Sequence, residues 1–170
     1  MGCEELLRQL GRDYPELRFR QGRRFAFRMS RRGQADTERW KESGGRKAER
    51  KTVQGWGTVY YEKIGNDCID DDKYWKMQIL HEVGHGLLGH RDWGKVDLER
   101  VKMESMAWAK AKELAGKYGV EYEEEFAEGE MDTYREWLHQ RSRCRRCGLT
   151  RYQTENGEYH CPRCEEFGAR

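Results

Sequence analysis

Apolar and polar positions alternate along this chain in patterns that predict one short helix followed by a small sheet. Leucines recur at helical spacing in residues 4–12, which predicts a short amphipathic helix. Residues 25–29 and 56–61 alternate apolar and polar side chains with the period of a β-strand, and residues 68–69 suit a third short strand. Together these three segments predict a small, twisted antiparallel sheet.

Later segments of the chain predict longer helices. One begins after the aspartates at 70–72, which supply an N-cap and negative charge at the helix start, and ends near Leu88. Its apolar residues lie on two sides, so we expect a central, buried helix. The next spans 98–118 with Glu104 on its apolar face, and the last spans 132–141. The expected fold class is therefore α+β, with the sheet packed on the central helix and further helices.

The amino-acid composition indicates a small core and a highly charged, solvated surface. Charged residues make up 38% of the 170 residues and the mean hydropathy is −1.15, yet 12% are aromatic and only 2 are proline. That balance is typical of a soluble protein whose small core is built on rings. No apolar run approaches the roughly 18 residues that cross a bilayer, and the N-terminus lacks the apolar stretch of a signal peptide. We therefore expect a cytoplasmic protein without membrane contact.

Charge is unevenly distributed, although the net charge is only +2. Residues 18–51 contain 13 basic and 4 acidic side chains, and residues 140–170 are also basic, whereas the middle of the chain is acidic. A solvated surface loop explains such a basic segment. The alternative is weak, non-specific nucleic acid binding through residues 18–51 and the C-terminal module.

The strongest chemical signal is the pentapeptide H-E-x-x-H, formed by His81, Glu82 and His85. Residues four apart lie one turn apart on a helix, so both imidazoles can reach one Zn²⁺, and the glutamate can take a proton from water. Such a site hydrolyses amide bonds. The simpler interpretation is two core histidines with satisfied hydrogen bonds, but two imidazoles and a carboxylate on one buried helix are costly without a metal or partners.

A catalytic zinc site needs a third protein ligand, and two residues compete for that role. Glu104 lies on the apolar face of the next helix, where an unpaired carboxylate is expensive. His90 lies opposite His81 while the helix continues, so it could bind the metal only if the chain turned sharply at Gly89. We therefore favour Glu104 and keep His90 as the alternative.

Two C-x-x-C pairs near the C-terminus, separated by 13 residues, predict a second zinc site. Four thiolates can surround one Zn²⁺, and the segment between the pairs suits a hairpin with a turn at 156–157. A rubredoxin-type iron site and redox-active dithiols are the alternatives. We therefore expect two zinc ions per chain, one catalytic and one in a structural zinc ribbon whose ligands are Cys144, Cys147, Cys161 and Cys164.

The run from His81 to His90, H-E-V-G-H-G-L-L-G-H, with the later E-S-M-A that begins at Glu104, resembles the ImmA/IrrE family of intracellular metallopeptidases, common on phages and mobile elements. The resemblance covers about residues 53–118. It implies a gluzincin fold in which His81, His85 and Glu104 bind zinc and Glu82 is the base. It also implies a metallo-endopeptidase that hydrolyses peptide bonds of a regulatory or DNA-associated protein.

These observations divide the chain into three parts. Residues 1–54 hold the N-terminal helix, the first strand and the basic loop of the peptidase domain; residues 55–141 hold its core; residues 142–170 hold the ribbon.

The runner-up resemblance is to SprT-like metallopeptidases, which join an H-E-x-x-H domain to a C-terminal ribbon and act on proteins crosslinked to DNA. They need a third histidine ligand, for which His90 is the candidate. A non-catalytic protein that binds zinc and nucleic acid is the alternative from another class.

Catalysis leads to two further expectations. A protein substrate should lie extended and pair with an exposed strand edge, for which residues 56–61 are the strongest candidate. Besides zinc, a hydrogen-bond donor should stabilise the developing oxyanion. The candidates on helices that close over the site are Tyr118, Tyr122, Tyr134 and His139.

Overall fold

The computed structural model describes residues 1–29, 57–62, 73–90 and 96–166. These residues form a mixed α+β fold, as the sequence predicts. The predicted strand at 68–69, the aspartates at 70–72 and most of the basic segment 18–51 lie outside them. The elements are α1 (Cys3–Asp13), β1 (Leu17–Gly22), β2 (Ala26–Met29), β3 (Gly57–Glu62), α2 (Lys73–Leu87), α3 (Asp97–Tyr118), α4 (Glu124–Ser142), β4 (Tyr152–Gln153), β5 (Tyr159–His160) and α5 (Pro162–Glu166).

The N-terminal sheet has three strands in the order β1-β3-β2. β2 runs antiparallel to β3, with Phe27 opposite Val59, but β1 runs parallel to β3, with Leu17 opposite Gly57. The two strands predicted at 25–29 and 56–61 therefore pair antiparallel as expected, but the prediction that the whole sheet is antiparallel is wrong. β1 was not predicted as a strand, and the order in which distant strands pair is a tertiary property that local alternation does not encode.

The same topology corrects the expected edge for a substrate. β3, which contains most of the segment 56–61, is paired on both sides and lies in the centre of the sheet. Its backbone groups are used within the sheet, so it cannot accept a further strand. Among the described residues, the sheet edges belong to β1 and β2.

Helix α2 lies between the sheet and α3, and two glycines allow these close contacts. A methyl group at Gly86 would come within 2.9 Å of the Leu17 side chain. A methyl group at Gly84 would come within 2.8 Å of the Ala107 carbonyl oxygen on α3. The core that surrounds α2 contains Leu6, Leu10, Leu17, Val59, Met77, Ile79, Leu80, Val83, Ala111 and Leu114.

Helices α3 and α4 follow the predicted pattern at three of their four ends. α3 ends at Tyr118 and is capped by Gly119, whose left-handed φ of 63° suits glycine, and α4 ends at Ser142. However, α4 begins at Glu124, eight residues before the predicted start at 132. Ala127 and Met131 are buried and pack the first half of α4 into the core. The acidic side chains of its first turn are favourable at a helix N-terminus.

The C-terminal module, meaning residues 143–166, contains the hairpin β4–β5 between the two C-x-x-C pairs. Gly157 takes a positive φ of 87° at its turn, as the predicted turn at 156–157 requires. No helix in the described part of the chain is both long enough and apolar enough to cross a membrane.

Candidate metal centres

Three side chains from two helices meet in the interior beside the sheet. His81 and His85 lie one turn apart on α2, and Glu104 faces them from α3. All three residues are buried, with exposed fractions of 4%, 5% and 1%. The structure thus brings together the two histidines and the glutamate that the sequence analysis favoured as ligands.

Their donor atoms form a nearly equilateral triangle. The distances are 3.1 Å between His81 Nε2 and His85 Nε2, 3.2 Å between His81 Nε2 and Glu104 Oε2, and 3.3 Å between His85 Nε2 and Glu104 Oε2. A tetrahedral Zn²⁺ with ligands at about 2.0–2.1 Å separates those ligands by about 3.3–3.4 Å. These three atoms, called the donor triangle below, therefore have the spacing that one such ion requires.

The electrostatics of the donor triangle also suit a cation. Burial opposes ionisation of Glu104, but hydrogen bonds with His81 and His85 lower its pKa to about 2. Burial lowers the pKa of His81, which favours the neutral imidazole. Glu104 Oε1 and His81 Nδ1 are buried without a hydrogen-bond partner in the described part of the chain. An ionised carboxylate at Glu104 and a neutral imidazole at His81 are protonation states that metal ligands need, and a cation would offset the charge buried with Glu104.

Glu82 lies next to the donor triangle and does not belong to it. Its carboxylate is half-buried, and burial raises its pKa to about 7, although the charge of His85 and a hydrogen bond from the Phe27 backbone N–H lower it. A carboxylate with a pKa near neutrality can accept and return a proton. Because Phe27 is in β2, its contact with Glu82 means that this strand borders the site.

His90 approaches the donor triangle from outside. The chain turns at Gly89, which has a positive φ of 66°, and places His90 Nδ1 2.8 Å from His85 Nδ1. His85 therefore turns its Nε2 to the triangle and its other ring nitrogen to His90. A hydrogen bond on that second nitrogen fixes the orientation of a metal-binding imidazole. The structure therefore brings His90 to the back of His85, and it brings Glu104 to the donor atoms.

The four candidate hydrogen-bond donors have different surroundings. Tyr118 donates to Asp13 at 2.7 Å, and Tyr122 donates to the Trp108 carbonyl oxygen at 3.4 Å. His139 is exposed on α4. The pKa of Tyr134 is raised, first by burial and then by the negative charge of Glu104, with smaller contributions from Glu82 and from a hydrogen bond to Glu104, so its hydroxyl lies beside the Glu104 carboxylate.

Two contacts that shape the site were not predicted from the sequence. The ring of Trp108 lies against His81, with centroids 4.3 Å apart, one turn after Glu104 on α3. A helical residue four positions after a candidate ligand occupies the same face, so that spacing was the signal for Trp108. The hydrogen bond from the Phe27 backbone N–H to Glu82 had no comparable signal in the sequence, because this bond depends on how β2 packs against α2.

The four cysteines form a second group, called the cysteine site below. The sulfur atoms of Cys144 and Cys164 are 3.9 Å apart, and those of Cys147 and Cys161 are 3.5 Å apart. A tetrahedral zinc with Zn–S bonds of about 2.3 Å separates its sulfurs by about 3.8 Å, whereas a disulfide bond is about 2.05 Å. Backbone N–H groups of Cys147 and Arg146 lower the pKa of Cys144, which favours the thiolate.

Each group could therefore hold a metal ion. No protein-family model, curated protein or solved structure matches this chain. Function must therefore be inferred from the chemistry of the two groups and their surroundings.

Proposed function

We propose that this protein is a zinc-dependent metallo-endopeptidase in which His81, His85 and Glu104 hold the catalytic ion and Glu82 is the general base. The donor triangle carries the proposal, because its three edges have the spacing of tetrahedral zinc and one coordination position stays open for the reaction. When bound there, zinc supplies Lewis-acid activation of water and of the scissile carbonyl.

Residues of the chain would carry the remaining steps. Glu82 takes a proton from the attacking water and delivers it to the leaving amine, a transfer that suits a half-buried carboxylate beside the donor triangle. Tyr134 donates a hydrogen bond to the negative oxygen that develops in the transition state, because its hydroxyl lies beside the Glu104 carboxylate at the donor triangle.

A protein substrate would bind as an extended strand along β2. This strand is a sheet edge among the described residues, and the Phe27 N–H points from it to Glu82. Backbone hydrogen bonds to the β2 edge next to Glu82 would present a peptide carbonyl to the donor triangle. Such main-chain pairing depends little on the amino-acid sequence of the substrate. The substrate class we propose is therefore an unfolded or locally unfolded polypeptide segment.

The position of Glu104 favours an ImmA/IrrE-like over a SprT-like arrangement. The SprT-like alternative needs a third histidine, and His90 contacts the back of His85. The cysteine site suits the structural zinc that we assign to the C-terminal module.

Two substitutions test this proposal. Glu82→Gln should keep two zinc ions per chain and lose cleavage of a fluorescence-quenched mixed peptide library, whereas Glu104→Ala should retain one ion and no cleavage. The matched control is Glu113→Gln, on the exposed side of α3, which should leave both readouts unchanged. Equal cleavage by wild type and Glu82→Gln, or two ions retained in Glu104→Ala, would contradict the proposal.

A further inference from the structure

The C-terminal module is fixed to the rest of the chain at the first residue of α3. Asp97 Oδ2 accepts hydrogen bonds from the Tyr159 hydroxyl at 2.7 Å and from Arg141 Nε at 2.5 Å. The Asp97 backbone N–H donates to Gln153 Oε1 at 2.7 Å. Gln153 and Tyr159 face each other across the hairpin β4–β5. One residue therefore joins α3, the end of α4 and both strands of the hairpin.

Side chains of the C-terminal module also donate to or accept from backbone groups at the start of α3 and the end of α4. The N-cap of α3 is Val96, whose side chain cannot accept a hydrogen bond, and the Gln153 amide oxygen serves the first N–H instead. At the end of α4, the Arg151 guanidinium donates to the Arg141 carbonyl oxygen at 2.7 Å. The module therefore satisfies backbone groups of both helices at one place.

Asp97 is shielded from water, which distinguishes it from an ordinary surface ion pair. Its side chain is 13% exposed, against 53% for Arg141. A carboxylate that accepts two hydrogen bonds, one from a guanidinium, in a partly desolvated position is held more strongly than an exposed pair. The module is therefore docked at a definite position on α3.

A stack of side chains leads from this position to the donor triangle. Arg141 and Arg100 both lie over the Trp137 ring, 5.6 Å and 5.0 Å from its centroid, and Arg100 also lies 5.8 Å from the centroid of Tyr134. Asp97 and Glu104 are seven residues apart, which places them on one face of α3 about 10.5 Å apart along its axis. The side chains of Arg141, Trp137, Arg100 and Tyr134 therefore form a continuous stack along α3 from Asp97 towards Glu104.

We infer that Asp97 is a positioning residue: by holding Arg141 and the hairpin it sets the position of α4, and through Trp137 and Arg100 it keeps the Tyr134 hydroxyl beside Glu104. The inference rests on the proposed function insofar as Tyr134 stabilises the transition state. Loss of Asp97 should release the end of α4 and misplace Tyr134, while the donor triangle and the cysteine site keep their own ligands.

A double-mutant cycle tests this role in the full chain. Tyr134→Phe should lower kcat by about 10²-fold, as removal of one oxyanion donor does. Asp97→Ala should lower kcat by about tenfold with KM unchanged, and Asp97→Asn, which keeps one acceptor oxygen, by less. In the Tyr134→Phe background, Asp97→Ala should have almost no further effect, because both changes act on one interaction. Asp132→Ala, an exposed aspartate on α4, is the matched control and should leave kcat unchanged.

Hydrogen exchange supplies a readout that does not need catalysis. Amides of residues 134–142 should exchange faster in Asp97→Ala than in wild type, with two metal ions retained per chain. If the wild type cleaves nothing, the proposed function fails, and this exchange alone decides whether Asp97 positions α4. Three results would each overturn the inference. They are losses of kcat that multiply in the double variant, an effect of Asp97→Ala on KM instead of kcat, and unchanged amide exchange at residues 134–142.

Discussion

Gly84 lies between the two histidines of α2 and offers a direct test of how closely α2 and α3 must approach. A methyl group at this position would lie 2.8 Å from the Ala107 carbonyl oxygen and 3.3 Å from Lys110 Cβ. The nearer atom belongs to the helix backbone and cannot rotate away. Restoring an ordinary contact of at least 3.4 Å requires the helices to separate by about 0.6 Å.

That displacement is large on the scale of the donor triangle. Ala107 is three residues from Glu104, so a shift of the α3 backbone there also moves the Glu104 carboxylate away from the histidines. Metal–ligand distances tolerate about 0.2 Å, so a shift of about 0.6 Å should lower zinc affinity at the donor triangle at least tenfold. The overpacking itself should cost about 1–3 kcal/mol of folding free energy.

A matched control separates this effect from helix propensity. Gly116 lies in α3, and a methyl group added there would meet no atom within 4 Å, so Gly116→Ala should gain about 1 kcal/mol and leave zinc binding unchanged. Thermal unfolding compares the two variants, and zinc content after dialysis against graded chelator reports the metal sites. We expect Gly84→Ala to be about 1–3 kcal/mol less stable than Gly116→Ala. Equal stability with an unchanged donor-triangle ion would refute the close packing of α2 on α3.

Two further predictions concern metal removal and acid. A series of chelators of increasing strength should remove the ion at the donor triangle, and abolish cleavage, before it removes the ion at the cysteine site. Four thiolates bind a soft ion more tightly than two imidazoles and a carboxylate do. Simultaneous loss of both ions would contradict this order. Hydrogen bonds from Lys117 and Tyr118 lower the pKa of Asp13, so this group adds stability above its unfolded pKa of about 3.9 that is lost as pH falls through the folded value. Asp13→Asn should therefore unfold at lower temperature at pH 7 and show a shallower decline below about pH 4, and parallel curves for both proteins would count against the contact.

Local sequence patterns predicted the parts of this fold that depend on near neighbours. Helical spacing and the stop at Gly119 gave the end of α3, and the spacing of His81, His85 and Glu104 identified the residues that the structure brings together. The two histidines lie one turn apart, and Glu104 is marked by the apolar pattern of its own helix, which repeats within one or two turns. They therefore survive in any tertiary arrangement that buries the apolar face.

The features that escaped prediction depend on contacts between distant segments. Leu17 and Phe19 alternate with arginines, yet only the pairing of β1 with β3, about 40 residues away, makes this a strand inside a mixed sheet. Tyr118 and Tyr134 were equivalent candidates in sequence, and the packing of α4 on α3 separates them. Asp97 meets Tyr159 from 62 positions away, and no periodicity encodes such a contact.

The candidate metal ligands lie on separate helices, so folding is what brings them together. His85 and Glu104 are 19 positions apart in the sequence. For both to reach one ion in the unfolded chain, a loop of about that length would first have to close, at a cost of about 3 kcal/mol in conformational entropy. Only the folded chain presents all three donors at once, so the free concentration of metal enters the folding equilibrium directly. The thermal stability of this protein would then vary with metal supply even though its amino-acid sequence stays the same.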